Sequence, residues 1–244
     1  VKSGVLGIIR VVYFIFGAEF LKGSWVQKVF LGLALGTVFL GSMLAYLEKG
    51  LKKRLAYSTV SQVSYILFGL LLLNPAGMTG AFLHVIFHAV IKSGLFLCAG
   101  AIIFRTGKTR VDELRGIGKE MPVTIGCMTL LSLALIGIPP ASGFVSKWYL
   151  AVGSLSSETG FYSWLGPVVL LLSALLTAGY LLPITMKGFF PGEEESRKGF
   201  VRKEADSIML VPILLLAVLA VVLGMFPGGL ISLISNIAQQ LFQM

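Results

Sequence analysis

Stretches of about 20 residues that are almost wholly apolar recur along this chain, separated by short polar loops. One of them, SIMLVPILLLAVLAVVLGMFP at 207–227, contains no charged residue. A helix of roughly that length crosses the hydrocarbon core of a bilayer. Inside hydrocarbon each backbone N–H and C=O must be satisfied within the structure, which leaves helices or closed barrels. Barrel strands would alternate with a period of two, and these runs do not. The expected fold class is therefore an all-α integral membrane protein, and the composition agrees: 56% of the 244 residues are hydrophobic and 13% charged, with a mean hydropathy of +0.91, far from a soluble domain.

Seven transmembrane helices are predicted, at 1–20, 26–48, 55–74, 78–104, 121–154, 165–187 and 207–227. The chain opens at Val1 inside an apolar run, with no initiator Met, basic leader or cleavage site, and is expected to be a piece of a longer protein whose first span is truncated. Loops after the second, fourth and sixth spans carry Lys49, Lys52, Lys53 and Arg54, then Arg105, Lys108, Arg110, Arg115 and Lys119, then Lys187, Arg197, Lys198, Arg202 and Lys203. The other loops carry only Lys22 and Lys28. The bias predicts basic loops in the cytoplasm and the C-terminus outside, in a cell (inner) membrane. It also accounts for the net charge of +9 without invoking nucleic acid. The loop 188–206, with charges of both signs, is expected to be a solvated connection, and the uncharged tail 228–244 to lie along the outer surface or against a partner.

Four basic residues remain inside predicted spans: Lys2, Arg10, Lys92 and Lys147. Glu19 is the only acid expected near the hydrocarbon. Each such cation costs about 2.5–3.5 kcal/mol even on the insertion scale, so intramembrane lysines mark ion pathways more often than packing. The competing reading for Lys2 and Lys147 is an amine that snorkels to the interface. Lys147 follows the longest apolar segment, where Gly137, Pro139, Pro140 and Gly143 interrupt LSLALIGIPPASGFVSKWYL at 131–150. Freed backbone groups at that depth are tolerated in protein or beside a wet cavity, which makes the break a broken-helix hinge and a candidate ion site.

In the fourth span His84, His88 and Lys92 recur at four-residue spacing and share one helix face. Histidine titrates near neutrality and suits a proton relay; a hydrogen-bonded core pair is the bland alternative. HVIFH lacks the Glu of a zinc-hydrolase HExxH motif, and a lysine beside the pair disfavours a metal. In the third span Ser58, Gln62 and Tyr65 form a polar stripe, either lining a hydrated path or bonding a neighbouring helix. Gly32, Gly36 and Gly41 suggest close helix packing in the second. Cys98 and Cys127, without CxxC spacing, are expected to be small core residues. No cysteine cluster or glycine-rich phosphate loop is present, so no cofactor, metal or redox centre is expected on this chain.

The segments LKKRLAYSTVSQVSY, HVIFHAVIKSGLFLCAGAI and IGIPPASGFVSKWYL, in this order and spacing, resemble the proton-translocating antiporter-like membrane subunits. That family includes subunits of respiratory complex I, of membrane-bound hydrogenases and of Mrp-type Na+/H+ antiporters. The resemblance covers about residues 1–190. It implies a fourteen-helix fold with two inverted five-helix repeats, of which this chain resembles helices eight to fourteen. The implied division is a first helix with a central-axis lysine over 1–25, a second repeat over 26–187 that includes the broken helix 121–154, and a loop, last helix and tail over 188–244. The resemblance implies proton-relay roles for Lys2, His84, His88, Lys92 and Lys147, with an acidic partner residue in the absent half. It also implies other membrane subunits of a multisubunit complex as partners, and no nucleic acid. The coupling could be redox-driven, as in an NADH:quinone oxidoreductase or hydrogenase, or an Na+/H+ exchange of the Mrp type; a non-conducting structural subunit is the third alternative.

Overall fold

The computed structural model describes residues 2–190 and 201–243, and among these the chain is all-helical, with one isolated antiparallel bridge between Gly50 and Arg110 and no strand. The helices are α1 (Lys2–Ile9), continued by a π-helical segment Arg10–Phe16, then α2 (Ala18–Leu21), α3 (Trp25–Leu47), α4 (Leu51–Leu71) and α5 (Pro75–Thr106). After them come α6 (Ile117–Glu120), α7 (Pro122–Ile136), α8 (Ser142–Leu155), α9 (Phe161–Phe189), α10 (Ser207–Met225) and α11 (Gly228–Gln243). Four of these, α3, α5, α9 and α10, are long and apolar enough by themselves to cross a membrane. The expected 121–154 segment divides into α7 and α8, each shorter than a bilayer crossing.

Local chemistry sets the helix ends. Ser24 caps α3 by accepting a hydrogen bond from the Gln27 N–H at 3.1 Å, and Asn74 caps α5 by accepting from the Gly77 N–H at 2.7 Å, with Pro75 in the first turn. Gly107 ends α5 and Gly137 ends α7, each in the left-handed region (φ 72° and 92°) that a side chain would disfavour. At 32 residues, α5 extends about 48 Å and forms the axis of the bundle, packing against α4, α7, α8, α10 and α11. Its Leu83, Phe87 and Leu95 join Leu131, Leu135, Tyr180 and Ile213 in the largest apolar cluster.

Three local expectations are revised. The first span is not one straight helix: it widens into the π-helical segment and breaks at Gly17, whose φ is 82°. The third begins at Leu51 and not at 55, because Leu51 and Leu55 are both fully buried and hold the polar LKKR turn against the core. Of the second-span glycines, Gly41 and Gly32 make close approaches, since a Cβ would lie 2.8 Å from the Ser61 nitrogen and 3.0 Å from the Tyr162 hydroxyl oxygen respectively; Gly36 has nothing within 4 Å. The uncharged tail forms α11, packed on α5 through Ile234 and Ala238, with Phe242 edge-on to Tyr13.

Arg54 is therefore not a solvated loop residue. It is 8% exposed, and its guanidinium donates to the Glu48 carbonyl (2.8 and 2.6 Å) and to the Tyr180 carbonyl of α9 (2.8 Å). Charge-assisted bonds of this kind contribute about 1.5–3 kcal/mol each, and their loss strands buried acceptors. Arg54→Ala is expected to lower stability by about 3 kcal/mol, with only partial recovery in Arg54→Lys, which lacks the fork. Thermal melting of the purified full-length protein checks this, and an unchanged transition would contradict it.

The connections gather at two ends. At one, the Val111 N–H donates to the Lys49 carbonyl (3.0 Å), the Gly116 N–H to the Lys187 carbonyl (2.9 Å) and the Lys203 N–H to the Glu120 carbonyl (2.8 Å), while Arg105 pairs with Asp206 at 3.4 Å. At the other, Lys22 pairs with Glu158 (3.7 Å) and Asn74 donates to the Gly153 carbonyl (2.7 Å). Loops separated in sequence, which the charge bias assigns to one side, thus meet in space. Arg197 and Lys198 lie outside the described residues.

Candidate functional site

The four-residue spacing on α5 places His84, His88 and Lys92 on a face that turns inward, at 2%, 3% and 5% exposure. Opposite this face is the polar stripe of α4. Lys92 donates its Nζ protons to the Leu55 carbonyl (3.0 Å) and to the Ser58 hydroxyl. His84 Nε2 is 3.1 Å from Gln62 Oε1, and the imidazole stacks at 5.4 Å on the ring of Tyr65. The His84 and His88 rings are themselves stacked at 5.9 Å and 11°. Tyr65 is anchored by donating its hydroxyl to the Leu170 carbonyl of α9 at 3.0 Å.

The broken helix supplies the far side of the cluster. When α7 stops at Ile136, its last carbonyls lose their intrahelical partners and carry the negative end of the helix dipole. Lys147, partly buried on α8, fills that position, donating to the Leu135 carbonyl at 2.7 Å and the Ile136 carbonyl at 2.8 Å. Its ammonium also lies 5.4 Å above the Tyr65 ring, an attractive cation–π arrangement. The hinge residues make this approach possible. Gly137 takes the left-handed turn after α7, and a Cβ on Gly143 would collide with the Ala134 carbonyl oxygen. On the outer side of the hinge, Gly224 of α10 seats closely against Pro140 and Ala141.

The structure thus brings together Ser58, Gln62, Tyr65, His84, His88, Lys92 and Lys147. Lys2 stands at the margin, partly buried on α1 and within electrostatic reach of His84 and His88. Arg10 is exposed on the π-helical segment and takes no part. Among the described residues no ion pair involves Lys2, Lys92 or Lys147, and no group of three or more His, Cys, Asp or Glu is placed to hold a metal. Two site residues escaped the sequence reading: Ser146, fully buried with Oγ 2.9 Å from His84 Nδ1, and Ser142, fully buried one turn earlier. Their four-residue spacing beside Lys147 was the available signal.

A row of histidines and lysines held inside a helical bundle, beside a broken helix, defines an integral membrane protein with an ionisable interior. The chain belongs to the NADH:quinone oxidoreductase/Mrp antiporter transmembrane family, whose pattern matches residues 1–177. It is 39% identical over 242 residues to NADH-quinone oxidoreductase subunit N of Desulforudis audaxviator, covering 95% of this chain and 47% of that protein. It is 31% identical over 250 residues to F(420)H(2) dehydrogenase subunit N of Methanosarcina mazei, covering 98% of this chain and 48% of that protein. Among solved structures, a chain of the Mrp complex from Dietzia sp. DQ12-45-1b superposes with a TM-score of 0.82 at 26% identity, over 96% of this chain and 51% of that one. The chain therefore spans about half the length of the curated relatives it matches.

Proposed function

We propose that this chain forms the C-terminal half of a proton-translocating membrane subunit, in a redox-driven complex of the NADH:quinone oxidoreductase or membrane-bound hydrogenase type. One observation carries the reading: among the described residues Lys92 and Lys147 are bound only by neutral oxygens, and His88, His84 and Tyr65 form a stacked line on the same interior faces, with Lys147 over the Tyr65 ring. Among the described residues no carboxylate holds either proton in place, so each lysine can pass between ammonium and amine. Lys2 receives a proton from the preceding half of the protein, the His88 and His84 face relays it with Lys92, and Lys147 releases it through the broken helix. A structural scaffold has no use for such costly groups.

In this reading the chain crosses the membrane seven times, with the α7–α8 pair as one broken crossing. The loops that gather Lys49, Arg110 and Lys187 face the cytoplasm of the cell (inner) membrane, and the C-terminus faces out. Other membrane subunits supply the driving force and the remaining half of the path. The identity to dehydrogenase subunits, 39% and 31%, favours redox coupling. The likeness to the Mrp complex supports the second reading, Na+/H+ exchange.

The test is proton uptake into inverted vesicles containing the full-length parent in its native complex, driven either by an electron donor or by a sodium gradient alone. Donor-driven uptake is expected, with about a tenfold loss in Lys92→Met while electron transfer persists. Uptake on sodium alone would transfer the chain to the antiporter reading, and a variant equal to wild type would remove Lys92 from the relay.

A further inference from the structure

His84 has two hydrogen-bond partners, and their directions cannot be chosen independently. Gln62 Oε1 is an acceptor only, so the 3.1 Å contact requires a proton on Nε2. The Ser146 hydroxyl is 2.9 Å from Nδ1 and also 3.2 Å from the Gly143 carbonyl, and its single proton can satisfy one of them. If His84 is neutral, Nδ1 is a lone pair, and Ser146 must turn its proton toward the ring, leaving Gly143. If His84 is an imidazolium, Nδ1 donates to Ser146 Oγ, and the hydroxyl turns to donate to Gly143 in the first turn of α8. The hydroxyl direction therefore reports the charge on His84. The alternative, a reversed Gln62 amide, would place the amide NH2 against Nε2 and keep His84 neutral with its proton on Nδ1.

A second observation extends this line. Among the described residues four buried side-chain atoms have no hydrogen-bond partner: Gln62 Nε2, both ring nitrogens of His88, and Ser142 Oγ. Buried polar atoms of this kind are held by internal water in folded proteins. Gln62 and His88 flank His84 on the side of Lys92; Ser142 is one helical turn from Ser146, on the side of the break. The unpartnered atoms thus occur at both ends of the Gln62–His84–Ser146 chain.

We infer that Ser146 is a relay residue, a hydroxyl switch through which His84 hands its proton to the broken helix, with Ser142 holding the water that accepts it. In the transfer the His84 Nδ1–H bond breaks and an O–H bond forms on Ser146. The Ser146 hydroxyl turns from the Gly143 carbonyl to the water at Ser142, and the proton it already carried passes to that water and from there to the amine form of Lys147. His84 is left neutral with its proton on Nε2, ready for the next. His84 meets Gln62 and Tyr65 from α4, Ser146 from α8 and His88 from its own helix, and the charges of Lys147 on α8 and Lys2 on α1 act on it. This inference rests on the proton relay proposed above.

The experiment uses the full-length parent in its native complex, in inverted vesicles driven by the redox donor, with Ser146→Thr, Ser146→Val and Ser146→Ala. Thr and Val have the same shape and differ by the hydroxyl, so their contrast separates hydrogen bonding from packing. Ser146→Thr is expected within about twofold of wild type, with Val and Ala about tenfold lower in proton uptake while electron transfer persists. Ser146→Ala equal to wild type, or Thr as impaired as Val beside a normal Ala, would overturn the switch. If neither larger variant assembles, Ala decides alone: a tenfold loss supports the switch and wild-type uptake overturns it. Failure of the underlying relay is distinguishable, because Lys147→Ala then retains full uptake whatever Ser146 does.

Discussion

Lys147→Ala, in the full-length parent within its native complex, is expected to lower donor-driven proton uptake by about 100-fold or more. Two effects act together. The variant removes the ammonium at the break, and it leaves the Leu135 and Ile136 carbonyls, now bonded at 2.7 and 2.8 Å, without their donor. A merely structural lysine at a helix C-terminus would be replaced with little loss by another cation that reaches the same carbonyls. Lys147→Arg makes that comparison: it keeps the charge and the donors but holds its proton at all accessible pH. Arg is expected to assemble like wild type and conduct as poorly as Ala. If Arg conducted normally, the residue would be a cap of α7 and the exit route through the break would be wrong.

Gly143→Ala has the largest expected effect on structure. A Cβ at Gly143 collides with the Ala134 carbonyl oxygen, a backbone atom that no rotamer change can move. The added methyl forces α7 and α8 apart at the break, where overpacking costs about 1–3 kcal/mol and more when backbone is displaced. Because Ala134, Leu135 and Ile136 form the last turn of α7, the same shift misplaces the carbonyls that bind Lys147. The variant is expected to melt lower and, in whatever complex assembles, to lose proton uptake. Gly126→Ala is the internal control: a Cβ there has nothing within 4 Å and should leave both measurements unchanged.

How much of this was legible in advance differs by level. The all-helical membrane class followed from charge-poor runs of bilayer length, and the position of the break from Gly137, Pro139, Pro140 and Gly143. A left-handed glycine at Gly137, with φ 92°, is the local reason α7 ends there. The count of crossings did not follow as directly. α4 carries Lys52, Lys53 and Arg54 in its first turn, and α7 and α8 are individually short, so four helices meet the length and polarity needed alone. Charge bias counts Arg54 among the loop residues because it reckons by position in sequence. The fold instead wraps Glu48 and α9 around it, and three backbone-directed bonds offset its desolvation.

The sequence by itself determined which residues share a face. A period of 3.6 places His84, His88 and Lys92 in one row, and Ser58, Gln62 and Tyr65 in another, whatever the helices later meet. It also determined where a cation would find free carbonyls, because a helix broken by glycine and proline exposes its last C=O groups. Only the tertiary structure decided which rows meet. His84 and Ser146 are 62 residues apart, and Lys92 and Ser58 are 34 apart. The first of these contacts depends on small residues that let α5 approach α8: a Cβ on Gly80 would lie 2.7 Å from the Leu150 nitrogen. Periodicity is a property of one helix and is written in local spacing, whereas the pairing of helices depends on shape complementarity between segments distant in the chain.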